Sequence, residues 1–166
     1  MATTRVFVGI SESLAGLQAL RFAVAEARRR QATLHVVRAW RYVAPWSGYD
    51  PQTSRVDLAD AANATLLRSF ETAMGAVPQD LTVVLVTVEA RAGQALVAAA
   101  DSADDLLVLG AFTRRWRLVR SVVRYCVRRA ACPVVVVPAP PLARRGTRAL
   151  HRQLHRSVRE GVTRPL

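Results

Sequence analysis

LLVLGAFTRRWRLVRSVVRYCVRRAACPVVVV, residues 106–137, decides the fold. Its ends, Leu106–Leu109 and Val134–Val137, are unbroken apolar runs of Val and Leu. Such runs, with no polar residue in alternation, read as strands buried on both faces, and a parallel sheet between two layers of helices is what buries both faces at once. The segment from about Leu118 to Arg129 reads as the helix that joins them, so the unit is strand, helix, strand. The connection into that helix holds Gly110 as its only glycine, with arginines crowded behind it.

The same alternation extends back to the start of the chain. A strand at Val6–Val8 is followed, after Ser13, by a helical pattern through Leu14, Leu17, Leu20, Ala23, Val24 and Ala27. Ser11 or Ser13 supplies the cap at the positive end of this helix, and Arg28, Arg29 and Arg30 suit its negative end. Next come a strand over Thr33–Arg38, a helix over about Val56–Met74, a strand over Leu81–Val88, a helix over about Gly93–Ala100 and a strand over Asp105–Leu109. Five strands alternating with four helices predict an α/β domain over residues 1–138. Two segments break the rhythm. Trp40–Gln52 holds Pro45, Gly48 and Pro51 among aromatic residues and reads as a long loop. From Ala139 onward a Pro-rich linker leads into an Arg-rich tail, residues 139–166, in which Leu150, Leu154 and Val158 recur every four residues; a short basic helix and a disordered tail both fit.

Charge divides the chain unevenly. Residues 1–105 carry 10 Arg against 11 acidic residues, whereas residues 106–166 carry 14 Arg against Glu160 alone. Every basic residue is Arg, whose planar fork suits phosphate and carboxylate. An anionic partner is therefore permitted but not required. No apolar run is long enough to span a bilayer, and no charged start followed by an apolar run and a cleavage site precedes the first strand, so a soluble, cytoplasmic protein is expected. Cys126 and Cys132, the only cysteines, fit buried thiols in a reducing compartment rather than a disulfide framework or a zinc motif.

Four pieces taken together, VFVGISES, ALRFAVAEARRRQATLHVVRAW, VEARAGQALVAAADSADDLLVLG and ACPVVVVP, resemble the universal stress protein family over residues 4–138. The resemblance implies a flavodoxin-like (Rossmann-like) open five-stranded parallel sheet of order 3-2-1-4-5 with helices on both faces. It also implies a homodimer, with Val134, Val135, Val136 and Val137 in the interface. Many members bind ATP or AMP through a loop with three spaced glycines followed by Ser or Thr, because glycine lets backbone N–H groups close on phosphate oxygens. Here Gly110 fills the first place, Thr113 replaces the second glycine, Arg120 the third, and Ser121 is the following hydroxyl, in a loop about three residues short of the family pattern. Ser11 stands where the family has an acidic residue just after its first strand, in the turn Gly9-Ile10-Ser11. Val36 matches the family's backbone contact to adenine. These departures point away from ATP binding in the family's mode.

Arg114, Arg115, Arg117 and Arg120 can instead build an anion site from side chains, for AMP, a cyclic nucleotide or another phosphate compound. Trp116 among these arginines, and Trp40, Tyr42, Trp46 and Tyr49 after the second strand, raise stacking on nucleic-acid bases. The tail arginines can neutralise phosphates with salt-sensitive, sequence-independent affinity, and no sequence-reading motif accompanies them. His151 and His155 share a helical spacing but have no third ligand nearby. Ser11, Ser13 and Ser121 have no base partner, and packing explains His35 within a strand. The expectation is a non-catalytic regulatory or stress-response protein, with no cofactor, that works by homodimerisation and by binding partners such as an acidic protein. A nucleotide sensor with a remodelled loop is the alternative, and a nucleic-acid-associated protein using the tail is the second.

Overall fold

The computed structural model describes residues 4–42, 51–111 and 122–140. Five strands and four helices alternate in them: β1 (Arg5–Gly9), α1 (Leu14–Arg30), β2 (Thr33–Trp40), α2 (Pro51–Met74), β3 (Val83–Glu89), α3 (Ala92–Ala99), β4 (Leu106–Gly110), α4 (Val122–Arg129) and β5 (Val134–Val137). All strand pairs are parallel and the order is β3-β2-β1-β4-β5, the flavodoxin-like arrangement. Several boundaries move, among them the start of β3, at Val83 rather than Leu81. β2 runs past Arg38 to Trp40, and α2 starts at Pro51, a residue suited to the first turn of a helix because its missing N–H has no helical partner there. The aromatic loop is correspondingly shorter than Trp40–Gln52, and residues 43–50 lie outside the described residues. So do residues 141–166, which hold nearly all of the basic tail with His151 and His155.

The period of two along each strand builds two cores. Val6, Val8, Leu34, Val36, Leu106 and Val108 point toward α1 and α2, where they meet Leu20, Val24, Leu66 and Phe70. Phe7, Val37, Leu107 and Leu109 point the other way, onto Leu96 of α3 and Cys126 of α4. Because every central strand contributes to both, it must be apolar at successive positions, which is why LLVL carries no polar residue. Both thiols are free and buried, and burial pushes Cys126 up to about 11 and raises Cys132.

α1 shows how local chemistry sets an element. Ser13 caps it by accepting a hydrogen bond from the Gly16 N–H at 3.0 Å. Gln31 ends it in the left-handed conformation at φ 53°, with its N–H bonded to the last turn. Arg28 pairs with Asp80 at 2.7 Å, while Arg29 and Arg30 grip Glu26 and hold its carboxyl down to about 2. The arginine run is thus committed to structure.

At the amino ends of the strands, Arg5 of β1 spans to Asp105 beside β4. Its Nε and Nη2 donate to the two Asp105 oxygens at 2.8 Å each, and Nη2 also reaches Asp101 at 2.7 Å. Asp105, only 2% exposed, accepts from the Ser102 N–H as well. Next to this clamp His35 stacks on Phe7 with ring centroids 4.6 Å apart. Burial, and then the Arg5 charge, lower the His35 pKa.

Candidate functional site at the carboxyl ends of the strands

In an open parallel sheet a ligand sits beyond the carboxyl ends of the strands, where the strand order reverses. Here the reversal falls between β1 and β4, and the turn Gly9-Ile10-Ser11 stands beside it. Three sequence-selected residues, Ile10, Ser11 and Gly110, come together with the first turn of α1.

Their polar groups are engaged with the protein. The Ile10 N–H donates to the Val37 carbonyl at 3.0 Å, the Ile10 carbonyl accepts from Arg38 Nη1 at 3.2 Å, and the Ile10 side chain is buried in the core. Ser11 Oγ lies 3.0 Å from Ser13 Oγ, in the same network that caps α1. A Cβ on Gly16 would run into the Ser11 carbonyl and hydroxyl, so the turn folds flat over the helix start. Gly110 is pressed against the same helix: a Cβ there would lie 2.7 Å from the Ala15 carbonyl carbon and the Gly16 nitrogen. The want of a side chain at Gly110 is therefore accounted for by close approach of two backbones. Gly9 is explained by packing too, since a Cβ would meet Leu96 Cδ1 at 2.9 Å.

Val36 lies elsewhere. It pairs with Val8 on one side and Leu85 on the other, wholly inside the ladder, and four residues of β2 follow it. The residues of β2 that stand level with the gap left by the end of β1 are Arg38–Trp40. Thr113, Arg114, Arg120 and Ser121 lie outside the described residues. Val134–Val137 form β5, an edge strand, at the far side of β4 from the turn.

Arg38 is the residue that sequence reading passed over. One nitrogen holds the Ile10 carbonyl, and its Nε is buried with no hydrogen-bond partner among the described residues. A buried guanidinium donor left open costs free energy unless something completes it. The signal was present in TLHVVRAW, where one cation interrupts an apolar strand. Around it are further polar groups. Thr87, which pairs with Arg38 across the ladder, bonds Asn63 of α2 at 3.1 Å. Arg68 of α2 reaches the Thr65 hydroxyl at 3.2 Å and Glu12, beside Ser11, at 3.6 Å. The site thus offers donors for an acceptor group, and no cluster of residues able to hold a metal ion occurs among the described residues. No helix among them is long and apolar enough to cross a membrane.

Comparison with known proteins fits this architecture. A universal stress protein solved in complex with cAMP is 25% identical, covers 84% of this chain and 100% of its own, and superposes with a TM-score of 0.54. Universal stress protein UspA from Lactobacillus plantarum is 23% identical over 82% of this chain and 99% of its own, with a TM-score of 0.60. A universal stress protein family protein from Arabidopsis thaliana with AMP bound is 16% identical over 83% of this chain and 93% of its own, with a TM-score of 0.52. No curated protein matches the chain. The sequence model of the Universal stress protein family matches residues 2–138. A match over that much of the chain, on a five-stranded sheet of the order 3-2-1-4-5, means that the chain belongs to the universal stress protein family.

Proposed function

We propose that this chain is a non-catalytic regulatory member of its family, cytoplasmic, acting in stress response by self-association and by binding partners, and not holding ATP in the family's mode. One observation supports the reading most. The groups of the Gly9-Ile10-Ser11 turn and Gly110 that would face a nucleotide are spent on Val37, Arg38, Ser13 and the first turn of α1. The replacement of two glycines by Thr113 and Arg120 in the loop after β4 points the same way. The basic second half supplies a surface for an acidic protein partner, with the tail from residue 139 as its extension.

A second reading, a sensor of a nucleotide held in a remodelled site, is favoured by the open Arg38 Nε and by the cAMP and AMP complexes of relatives. Calorimetric and thermal-shift titration with ATP, AMP and cyclic AMP separates the two. A ligand at about a hundred times its Kd stabilises the folded state by about 2.7 kcal/mol, which for a chain of this length raises Tm by about 5–10 °C. The expected result is no shift at millimolar nucleotide. Saturable micromolar binding that is lost in Arg38→Met replaces the first reading with the sensor.

A further inference from the structure

The self-association expected through Val134–Val137 uses the β5 edge of the sheet and leaves the edge at β3 open. β3 pairs with β2 at all seven of its positions, and among the described residues nothing pairs with its outer side. The Leu34 N–H bonds the Thr82 carbonyl and the Ala90 N–H bonds the Trp40 carbonyl, so even-numbered residues of β3 turn their backbone toward β2. The N–H and C=O groups of Val83, Leu85, Thr87 and Glu89 therefore point outward, in a row that an added strand can pair with. Charges, prolines and bulges usually protect such an edge, and LTVVLVTV, residues 81–88, holds no charge and no proline. Its side chains are apolar on both faces of the sheet: Leu85, on the α2 side, is 41% exposed, and Val84, on the other, 37%.

The flank of α2 beside this edge supplies charge. α2 runs antiparallel to β3, since Arg55 near its start pairs with Glu89 at the end of β3 and Asn63 bonds Thr87. Asp60, Asn63, Leu67 and Glu71 follow at intervals of three and four residues, so they share the flank that touches β3. Leu67 lies one turn beyond Asn63, about 6 Å along the helix, and Leu85 lies about 6.6 Å back from Thr87 along the strand. Leu67, itself 49% exposed, is thereby level with Leu85. Asp60 and Glu71 stand on either side of this apolar pair, about 16 Å apart along the helix. Both are exposed, and neither forms an ion pair with another described residue. Residues 55–91 carry three Arg against five acids, and pairing with Arg28 and Arg55 uses only Asp80 and Glu89. The flank is therefore an acidic area in a chain of net charge +12. β5, beside which α4 carries its arginines, is four strand spacings away, about 19 Å, against a screening length of about 8 Å in physiological salt. The local carboxylates thus set the field at the β3 edge.

We propose that this edge takes an extended basic segment of a partner protein, added to the sheet beside β3. An apolar side chain of the segment covers Leu67 and Leu85, and a Lys or Arg on each side of it reaches Asp60 and Glu71. Side chains that face the same way in a strand recur every second residue, so the segment reads basic, x, apolar, x, basic, with its charges about 13 Å apart. The long stem of Lys or Arg spans the remaining distance. The two x positions face the Val84 side of the sheet and suit β-branched residues. Backbone bonds to the outward row of β3 give affinity, and the two carboxylates select the sequence. The same carboxylates refuse a second copy of this edge, because like charges would meet. This partner has the opposite sign to the one proposed for the basic half, and the inference rests neither on that reading nor on self-association.

Titration of the full chain with the peptide acetyl-TKVLVKT-amide, which reads the same in either strand direction, tests it by calorimetry and by amide hydrogen exchange. Saturable binding is expected, weakened by added salt and weakened about ten-fold or more in the double variant Asp60→Lys, Glu71→Lys. Both substituted residues are exposed, so the variant keeps the fold. Bound peptide is expected to slow exchange of the outward amides of Leu85 and Thr87, and the charge-reversed peptide acetyl-TEVLVET-amide is expected not to bind. No binding at millimolar peptide, equal binding of the charge-reversed peptide, or binding that the double variant leaves unchanged overturns the proposal. Binding without slowed exchange along β3 overturns it as well. Nucleotide titration and oligomeric state read the proposed function separately, so the two can fail independently.

Discussion

Arg5 and Arg38 are the same side chain at opposite ends of one sheet. At the amino ends, Arg5 is held by two carboxylates through Nε and Nη2 and lies over the Phe7 ring. At the carboxyl ends, Arg38 has one bond to a backbone carbonyl and a buried Nε without a partner among the described residues. The difference teaches which end is tied more firmly into the fold: a guanidinium gripped by two carboxylates is held at several atoms, and one with a single bond to a carbonyl is held at one.

The comparison breaks first if the amino end is not the stronger. Asp105→Ala removes a nearly buried carboxylate and strands Arg5 and the Ser102 N–H, so a loss of about 2–3 kcal/mol is expected, read as a fall in Tm of about 4–10 °C. Ser13→Ala, at the carboxyl end, deletes the cap of α1 and is expected to cost about 1 kcal/mol in urea unfolding. A Ser13 loss exceeding the Asp105 loss would reverse the ranking of the two ends.

A smaller effect comes from His35, beside the Arg5 clamp. Burial lowers its folded pKa below the ordinary 6.5, so its contribution is fully present above about pH 6.5 and is lost as pH falls through that value toward the lower, folded one. Tm is expected to fall between pH 7 and pH 5, and His35→Leu to flatten that part of the profile. An unchanged slope would remove the histidine from the amino-end cluster's pH response. The smallest change belongs to Arg38→Met. With its Nε unpaired, the side chain is expected to be worth less than about 0.5 kcal/mol to the unliganded fold by denaturant titration. A loss as large as that of Asp105→Ala would make Arg38 structural and erase the distinction.

The sheet was legible because parallel strands buried on both faces leave an unmistakable mark: LLVL and VVVV have no alternation to confuse with surface strands. A serine cap at Ser11 or Ser13 and the Arg28–Arg30 run as helix-end charge were legible from local chemistry, and the structure chooses Ser13. Less could be read where long-range packing decides. β2 continues to Trp40 because Ala39 and Trp40 pair with Val88 and Glu89 of β3, a ladder partner about fifty residues away. That continuation moved Val36 inside the sheet and left Arg38 at the gap. Gly110 matches the first glycine of the family's loop in sequence, and its press against the first turn of α1, a contact between elements far apart in the chain, was not legible there.

The press of Gly110 on Ala15 and Gly16 also bears on how the molecule assembles. It joins the first turn of the first helix to the end of the fourth strand, across more than half the chain, as Arg5–Asp105 does at the other end. Contacts of such sequence separation form only after a large loop has closed, so α1 cannot reach its final seat until β4 has slid in beside β1. α1 is thus seated only once a strand more than seventy residues further along the chain is in place, and the order of elements along the chain is not the order in which the site is completed.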